Sequence, residues 1–241
     1  MHPILFSIGI FTIYSFGTML AAGYLVAASL LWGSEKRRGS DPAALSDLGI
    51  GLLLFGLVGA RVFYILLNPQ IYLEDPAEIF RIQHGGLVFY GGFVGSFLFF
   101  LFFVRKKRLP FWETVDRMTP YAILVQAFGR IGCFLNRCCY GKPTSLPIGV
   151  VFPGSLVPVH PTQLYEAASL FALFVPFYLL SQKRQKPGAL FSGYLVTYGL
   201  LRFIVEFARG DQKHFLLGLT LPQFLSLFFI LIGLALCFRK K

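Results

Sequence analysis

The chain has 241 residues, of which 56% are hydrophobic and 14% charged, and it carries a formal net charge of +11. Soluble domains carry about 25% charged residues, so this is a membrane-protein composition and the length need not divide into two soluble domains. The basic residues fall in short clusters between apolar runs, which carries topology information and excludes a nucleic-acid-binding face.

Seven apolar runs, each near the roughly 17–25 residues that span a bilayer, are predicted as helices at 9–32, 48–67, 87–104, 119–136, 163–181, 189–208 and 216–238. The first has no Lys or Arg ahead of it and is too long for the apolar region of a leader, so it reads as a span and not a cleaved peptide. The second carries Arg61. The third opens on Gly85-Gly86-Leu87-Val88-Phe89-Tyr90-Gly91-Gly92, whose glycines permit close approach of helices or of a ligand. The fourth is the most polar, with Gln126 and Arg130. The connection from 137 to 162 holds Pro143, Pro147, Pro153 and Pro158 and is predicted to be extended. The fifth begins after His160-Pro161-Thr162-Gln163-Leu164-Tyr165-Glu166, and the sixth ends in Arg202-Phe203-Ile204-Val205-Glu206-Phe207-Ala208-Arg209. No repeat or low-complexity tract interrupts the chain. The fold class is therefore all-α, a polytopic membrane protein with about seven spans in a single domain of residues 1–241.

Lys and Arg set the orientation. Fourteen lie on one side, at Lys36, Arg37, Arg38, Arg105, Lys106, Lys107, Arg108, Arg117, Lys183, Arg184, Lys186, Arg239, Lys240 and Lys241. Five lie on the other, at Arg81, Arg137, Lys142, Arg209 and Lys213. The richer side is cytoplasmic by the positive-inside rule, which places the N-terminus outside and the C-terminus inside.

Arg61, Arg130 and Arg202 remain within spans. A charge at bilayer depth costs at least ~2.5–3.5 kcal/mol and marks a functional site by default. Each lies about six residues, or ~9 Å, before the outer end of its helix. A guanidinium offers a planar fork of donors that matches phosphate oxygens, and the phosphate available at that depth is a phospholipid headgroup. The competing reading for each arginine is that it snorkels to the headgroups. Glu206 at i+4 from Arg202 is read as its ion-pair partner. Arg209, at the membrane edge, is expected to be better solvated. An anion transporter would place its polar groups near the midplane, commonly in repeated halves, so an enzyme acting on lipid headgroups is favoured.

The motifs together resemble the prolipoprotein diacylglyceryl transferase family. They are Gly59-Ala60-Arg61-Val62-Phe63-Tyr64, the GGLVFYGG block, Gly129-Arg130-Ile131-Gly132 with Asn136 and Gly141 beyond it, HPTQLYEA from His160, and RFIVEF from Arg202 with Arg209. The resemblance spans nearly the whole chain. It implies transfer of the diacylglyceryl group of phosphatidylglycerol to the thiol of the lipobox cysteine in a preprolipoprotein signal peptide, with release of glycerol 1-phosphate. It implies a bacterial plasma or inner membrane location with the active site toward the outer face, and no metal or cofactor. The residues it assigns to catalysis are Arg130, Arg202, Tyr90, Glu206 and His160. Those it assigns to phosphatidylglycerol are Arg130, Arg202, Arg61, Arg209, Asn136, Gly141, Gln163, Tyr165, Glu166 and Tyr14. An inactive relative that only binds anionic phospholipid or precursor is the alternative.

Four positions depart from the family pattern. Cys133 stands where Asn is common, Cys138 where an acidic residue is common, and Tyr90 where many members have His. Phe16-Gly17 replaces a Tyr-Gly pair, with Tyr14 two residues earlier. A phenol stays protonated until about pH 10, so Tyr90 reads as an orienting donor or proton relay, with His160 and Glu206 as rival acceptors. Cys133, Cys138 and Cys139 have no second pair to complete a four-ligand metal set. Packing is the simplest role for them, and a disulfide from Cys133 to Cys138 or Cys139 is open.

Overall fold

The computed structural model describes residues 3–8, 11–81, 85–210, 214–216 and 218–238, without the side chains of Ile8, Phe11 and His214. Lys213, Arg239, Lys240 and Lys241, which enter the charge count, lie outside the described residues. The order is β1 (Ile4–Ile8), β2 (Phe11–Tyr14), α1 (Ser15–Arg37), α2 (Ala43–Leu67), α3 (Pro69–Glu74), a 3-10 turn (Pro76–Phe80), α4 (Phe89–Lys106), α5 (Phe111–Leu135), α6 (Thr162–Ser181), α7 (Ala189–Phe207), β3 (His214–Leu216), β4 (Leu219–Thr220) and α8 (Leu221–Cys237). The chain is mostly helical. Among the described residues, six helices (α1, α2, α4, α5, α6 and α7) are long and apolar enough to cross a membrane, and α8 is a shorter apolar helix.

The observed boundaries differ from the predicted ones for identifiable reasons. Strands β1 and β2 pair antiparallel, so α1 begins later than the apolar run. Ile, Phe, Thr and Tyr there favour a pleated strand. The antiparallel β3–β4 pair likewise delays α8, whose start is fixed by a capping box between Thr220 and Gln223. Helix α5 starts eight residues before the predicted span, at Phe111. Its first turns carry Asp116, which accepts hydrogen bonds from the backbone N–H groups of Gly188 (2.6 Å) and Phe191 (2.8 Å). A charged residue that looked like loop thus satisfies free donors at the start of α7.

The chain divides into two compact units, residues 31–114 and residues 1–30 with 115–241. In the smaller unit α2 and α4 pack backbone to backbone. A Cβ on Gly59 or Gly95 would collide with the carbonyl oxygen of Gly91 or Phe55, so only glycine permits the approach. The Ser96 hydroxyl donates to the Leu52 carbonyl at 2.9 Å in the same seam. In the larger unit Ile123, Ala127, Leu170, Phe177 and Leu190 form a buried core from α5, α6 and α7. That core fixes the three helices that carry the site.

The 137–162 connection, expected to be extended, instead turns at Leu146–Gly149 and Phe152–Ser155 and folds back on itself, with isolated bridges joining Pro143 and Val150 to Val159 and Gly141 to Arg209.

Candidate active site

Arg130 on α5, Glu166 on α6, and Arg202 and Glu206 on α7 meet in the larger unit. The Arg130 Nε lies 3.0 Å from Glu166 Oε1, and Arg202 Nη1 lies 4.0 Å from Glu166 Oε2. Arg202 Nη2 is 2.7 Å from Glu206 Oε2, the i,i+4 pair expected from the sequence. Glu166 and Glu206 are buried, with side-chain exposures of 2% and 0%, whereas Arg130 and Arg202 retain 21% and 13%. The anions are thus sunk behind the cations, and the guanidinium groups form the accessible layer. Nη1 of Arg202 is buried and makes no hydrogen bond. An unsatisfied buried donor costs roughly 1–3 kcal/mol.

The carboxylates are held by neutral donors. The Tyr198 hydroxyl donates to Glu166 Oε1 at 2.9 Å. The Thr220 hydroxyl donates to Glu206 Oε1 at 2.9 Å. Tyr194 stacks on Tyr198 with centroids 5.5 Å apart and donates to Gln126 Oε1 at 2.7 Å. The sequence reading passed over Tyr194, Tyr198 and Thr220. Tyr194, Tyr198, Arg202 and Glu206 recur every four residues, one face of a helix, and that spacing was the available signal.

The connection after α5 is tied to the same region. Gly141 donates its N–H to the His160 carbonyl (2.8 Å), and Lys142 donates to the Ala208 carbonyl (2.8 Å). A Cβ on Gly141 would overlap the Ala208 oxygen and approach His160 Cβ to 2.7 Å, so this seam admits only glycine. His160 Nδ1 and the Tyr165 hydroxyl are 3.1 Å apart. Gln163 donates to the Cys138 carbonyl at 2.6 Å, and Thr162 to the Cys139 carbonyl at 2.8 Å. Gln163, expected to touch lipid, thus spends its amide on the cysteine loop. Asn136 hydrogen-bonds Cys138. Arg209, expected to be well solvated, is 8% exposed, because the 141–142 seam lies against the end of α7. Tyr14 is exposed on β2.

The three cysteines are not joined by a disulfide. Their Sγ atoms all lie within 4.8 Å of one another. The Cys139 thiol, beyond the helix end, is held well below the ordinary thiol range by hydrogen bonds from Cys133 and Cys138, with Arg209 and Arg130 adding positive charge.

Arg61 and Tyr90 belong to the smaller unit. Arg61 is 7% exposed. Its Nε donates to the Ile79 carbonyl (3.2 Å), Nη1 to those of Gly85 (2.6 Å) and Gly86 (3.2 Å), and Nη2 to those of Glu78 and Arg81. These contacts engage all five guanidinium donors. Gly85 and Gly86 have φ of 85° and 77°, the left-handed conformation that glycine adopts without strain. The guanidinium also lies 5.4 Å from the Tyr72 ring centroid. Arg61 is thus a staple for the turn that leads into α4. Tyr90 stands on the first turn of α4, 58% exposed, with its ring edge to Phe89.

A sequence model described as prolipoprotein diacylglyceryl transferase matches residues 3–239. A Clostridium tetani protein named phosphatidylglycerol–prolipoprotein diacylglyceryl transferase is 39% identical over 97% of this chain and 96% of its own length. Proteins of the same name from Trichormus variabilis (38% identical, over 97% of this chain and 87% of its own length) and Cupriavidus metallidurans (36%, over 96% and 90%) are also similar.

Proposed function

Because the chain belongs to the prolipoprotein diacylglyceryl transferase family, we propose that it moves the diacylglyceryl group of phosphatidylglycerol to the thiol of a lipobox cysteine in a preprolipoprotein signal peptide. A thioether forms and glycerol 1-phosphate leaves. The observation that carries this reading is the paired Arg130 and Arg202 layer with an unspent Arg202 donor over two buried carboxylates. In the reaction sulfur attacks the glycerol carbon that bears the phosphate ester. The C–S bond forms as the C–O bond breaks, and negative charge gathers on the departing phosphate. Arg130 and Arg202 stabilise that charge, and Glu166 and Glu206 hold their guanidinium planes in place. Arg209, Asn136 and Tyr165 shape the rim around the headgroup, Gly141 and Gln163 hold the loop behind it, Tyr14 lies along the acyl chains, and Arg61 fixes the entry to α4. Tyr90 acts as an orienting hydrogen-bond donor or proton relay, and His160 and Glu206 are the rival acceptors of the thiol proton.

The test is purified, full-length protein in detergent with phosphatidylglycerol and a cysteine-containing precursor peptide. The peptide is expected to gain the diacylglyceryl mass, and its Cys→Ser version is not. Lipid binding without any mass gain would make this chain a binding protein only. In the same assay Tyr90→Phe is expected to slow transfer several-fold, and an undiminished rate would remove its hydroxyl from proton transfer.

The site is read as opening to the outer face of a multi-pass inner-membrane protein, with the C-terminus cytoplasmic. Single cysteines are introduced at the 143–158 connection and after Phe238, in a background without native cysteines. An impermeant thiol reagent applied to spheroplasts is expected to label the connection only. Labelling of the tail alone would reverse the orientation and remove the outer-leaflet reading.

A further inference from the structure

Helix α5 ends in a turn that folds Cys138 back over Cys133. The Cys138 N–H donates to the Cys133 carbonyl at 3.1 Å and the Arg137 N–H to the Phe134 carbonyl at 3.2 Å, the bond pair of a Schellman cap. Arg137 occupies the left-handed position (φ 59°) that glycine usually takes, and Cys139 is left-handed as well (φ 67°). The buried side chains of Gln163 and Thr162 hold the loop in that shape through the Cys138 and Cys139 carbonyls. The result is three free, partly accessible thiols whose Sγ atoms lie within 4.8 Å of one another. With the connection after α5 read as external, they face the side of the membrane on which disulfides form and persist.

The three sulfurs are not equivalent. Cys139 accepts hydrogen bonds from the thiols of both Cys133 and Cys138, and Arg209 and Arg130 add positive charge around it. It is therefore the sulfur with the most thiolate character, and the thiolate is the form that attacks an oxidant. Its partner follows from chain geometry. Cα atoms of adjacent residues stand about 3.8 Å apart, short of the roughly 4.4–6.8 Å that a disulfide spans, which sets the Cys138–Cys139 pair aside. Cys133, one turn back on α5 and already donating to the Cys139 sulfur, is the remaining partner. A nucleophilic thiolate beside a second thiol that can resolve its oxidised form is the arrangement of a redox-sensitive pair.

We propose that Cys139 and Cys133 form a site of reversible oxidation by hydroperoxides, and that the disulfide they close slows transfer. The second half rests on the transferase reading above. The Cys139 thiolate attacks one peroxide oxygen, the O–O bond breaks, and hydroxide leaves and is protonated by solvent. The sulfenic acid that forms is then attacked by the Cys133 sulfur. The S–S bond closes as the S–O bond breaks, and the Cys133 proton departs with the hydroxyl group as water. Two thiols are thus oxidised and one hydrogen peroxide is reduced to two waters. A dithiol reverses the change. An S–S bond is near 2.05 Å, so sulfurs within 4.8 Å of one another close by at most about 2.7 Å. That movement draws Cys139 toward α5 and away from the Thr162 hydroxyl bound to its carbonyl. Two residues further on, the Gly141 and Lys142 bonds to His160 and Ala208 pin the same strand against the end of α7. The pull therefore loosens the seam that covers Arg209, and the negative charge that Cys139 holds near Arg209 and Arg130 disappears.

Hydrogen peroxide serves as the probe. The full-length, reduced protein in detergent is treated with it, the excess is removed, and disulfides are mapped by mass spectrometry of the digested chain. The Cys133–Cys139 bond is expected, and a dithiol should remove it. Cys133→Ser should stop at a Cys139 sulfenic acid that a 1,3-dicarbonyl reagent traps, Cys139→Ser should give neither product, and Cys237→Ser on α8 should behave as the parent. Thermal melting of each variant separates loss of the pair from loss of fold, and the mapping of the parental chain needs no variant at all. The oxidised parent should transfer at about a tenth of its reduced rate or less, a loss of the size that an ångström of misplacement produces, and dithiol should restore it. Cys133→Ser should keep its rate after peroxide is removed and dithiol added. Absence of a disulfide in the treated parent, or a bond from Cys133 to Cys138 instead, overturns the site. A complete Cys133–Cys139 bond with transfer unchanged overturns the slowing. A bond that forms and is reduced in a preparation that transfers no lipid in either state supports the oxidation site and counts against the transferase reading instead.

Discussion

Arg130→Lys and Arg202→Lys are each expected to transfer diacylglyceryl at a tenth of the parental rate or less, with the protein still folded. Charge is conserved in both, so a purely electrostatic role predicts little change. The Arg130 guanidinium pairs with Glu166 through Nε at 3.0 Å. Arg202 Nη2 forms an ion pair with Glu206 Oε2 at 2.7 Å, and its Nη1 is buried without a hydrogen bond. A lysine ammonium on a flexible stem cannot hold its carboxylate and a phosphate oxygen in one plane. Losing one charge-assisted hydrogen bond removes about 1.5–3 kcal/mol, which is roughly ten- to hundredfold in rate. The measurement is turnover of purified variants at saturating phosphatidylglycerol, with thermal melting as the check on folding. Parental turnover in either folded variant would end the phosphate-clamp reading.

The features legible in the sequence were those with local causes. Apolar runs located the six long helices and α8 because membrane burial leaves its mark on consecutive residues. The pair Arg202 and Glu206 was readable because i and i+4 lie one above the other on a helix. Glu166 as partner to both Arg130 and Arg202 was not readable, since nothing local in α6 says which helices it faces. Thr220 reaching Glu206 is of the same kind. Asp116 was hidden for a different reason. It lies outside the apolar run at 119–136, while its carboxylate caps a helix some seventy residues further along. The burial of Arg209 follows from the seam at Gly141 and Lys142, which a count of residues to the membrane edge does not see. The cysteine turn escaped notice because its left-handed residues are Arg137 and Cys139, where the usual glycine signal is missing.

Glu206→Met is expected to lower the thermal stability of the detergent-solubilised protein sharply, and the double change Arg202→Met with Glu206→Met is expected to recover most of it without recovering activity. Glu206 has a side-chain exposure of 0% and faces Arg202, which retains 13%. Removing the carboxylate alone leaves a mostly buried guanidinium with Glu166 at 4.0 Å as its nearest anion. It also strands the Thr220 hydroxyl, which donates to Glu206. Breaking a buried pair from one side costs about 3–5 kcal/mol, whereas replacing both partners by apolar groups of similar volume is often neutral or stabilising. The two residues touch, so their effects are not additive, and the double-variant cycle isolates the coupling between them. A positioning role for Glu206 and a binding role for Arg202 predict that stability and transfer part company in the double variant. Were the double variant as unstable as Glu206→Met, the carboxylate would be holding the fold by contacts other than this pair. Were it stable and active, Arg202 would have no part in binding the phosphate.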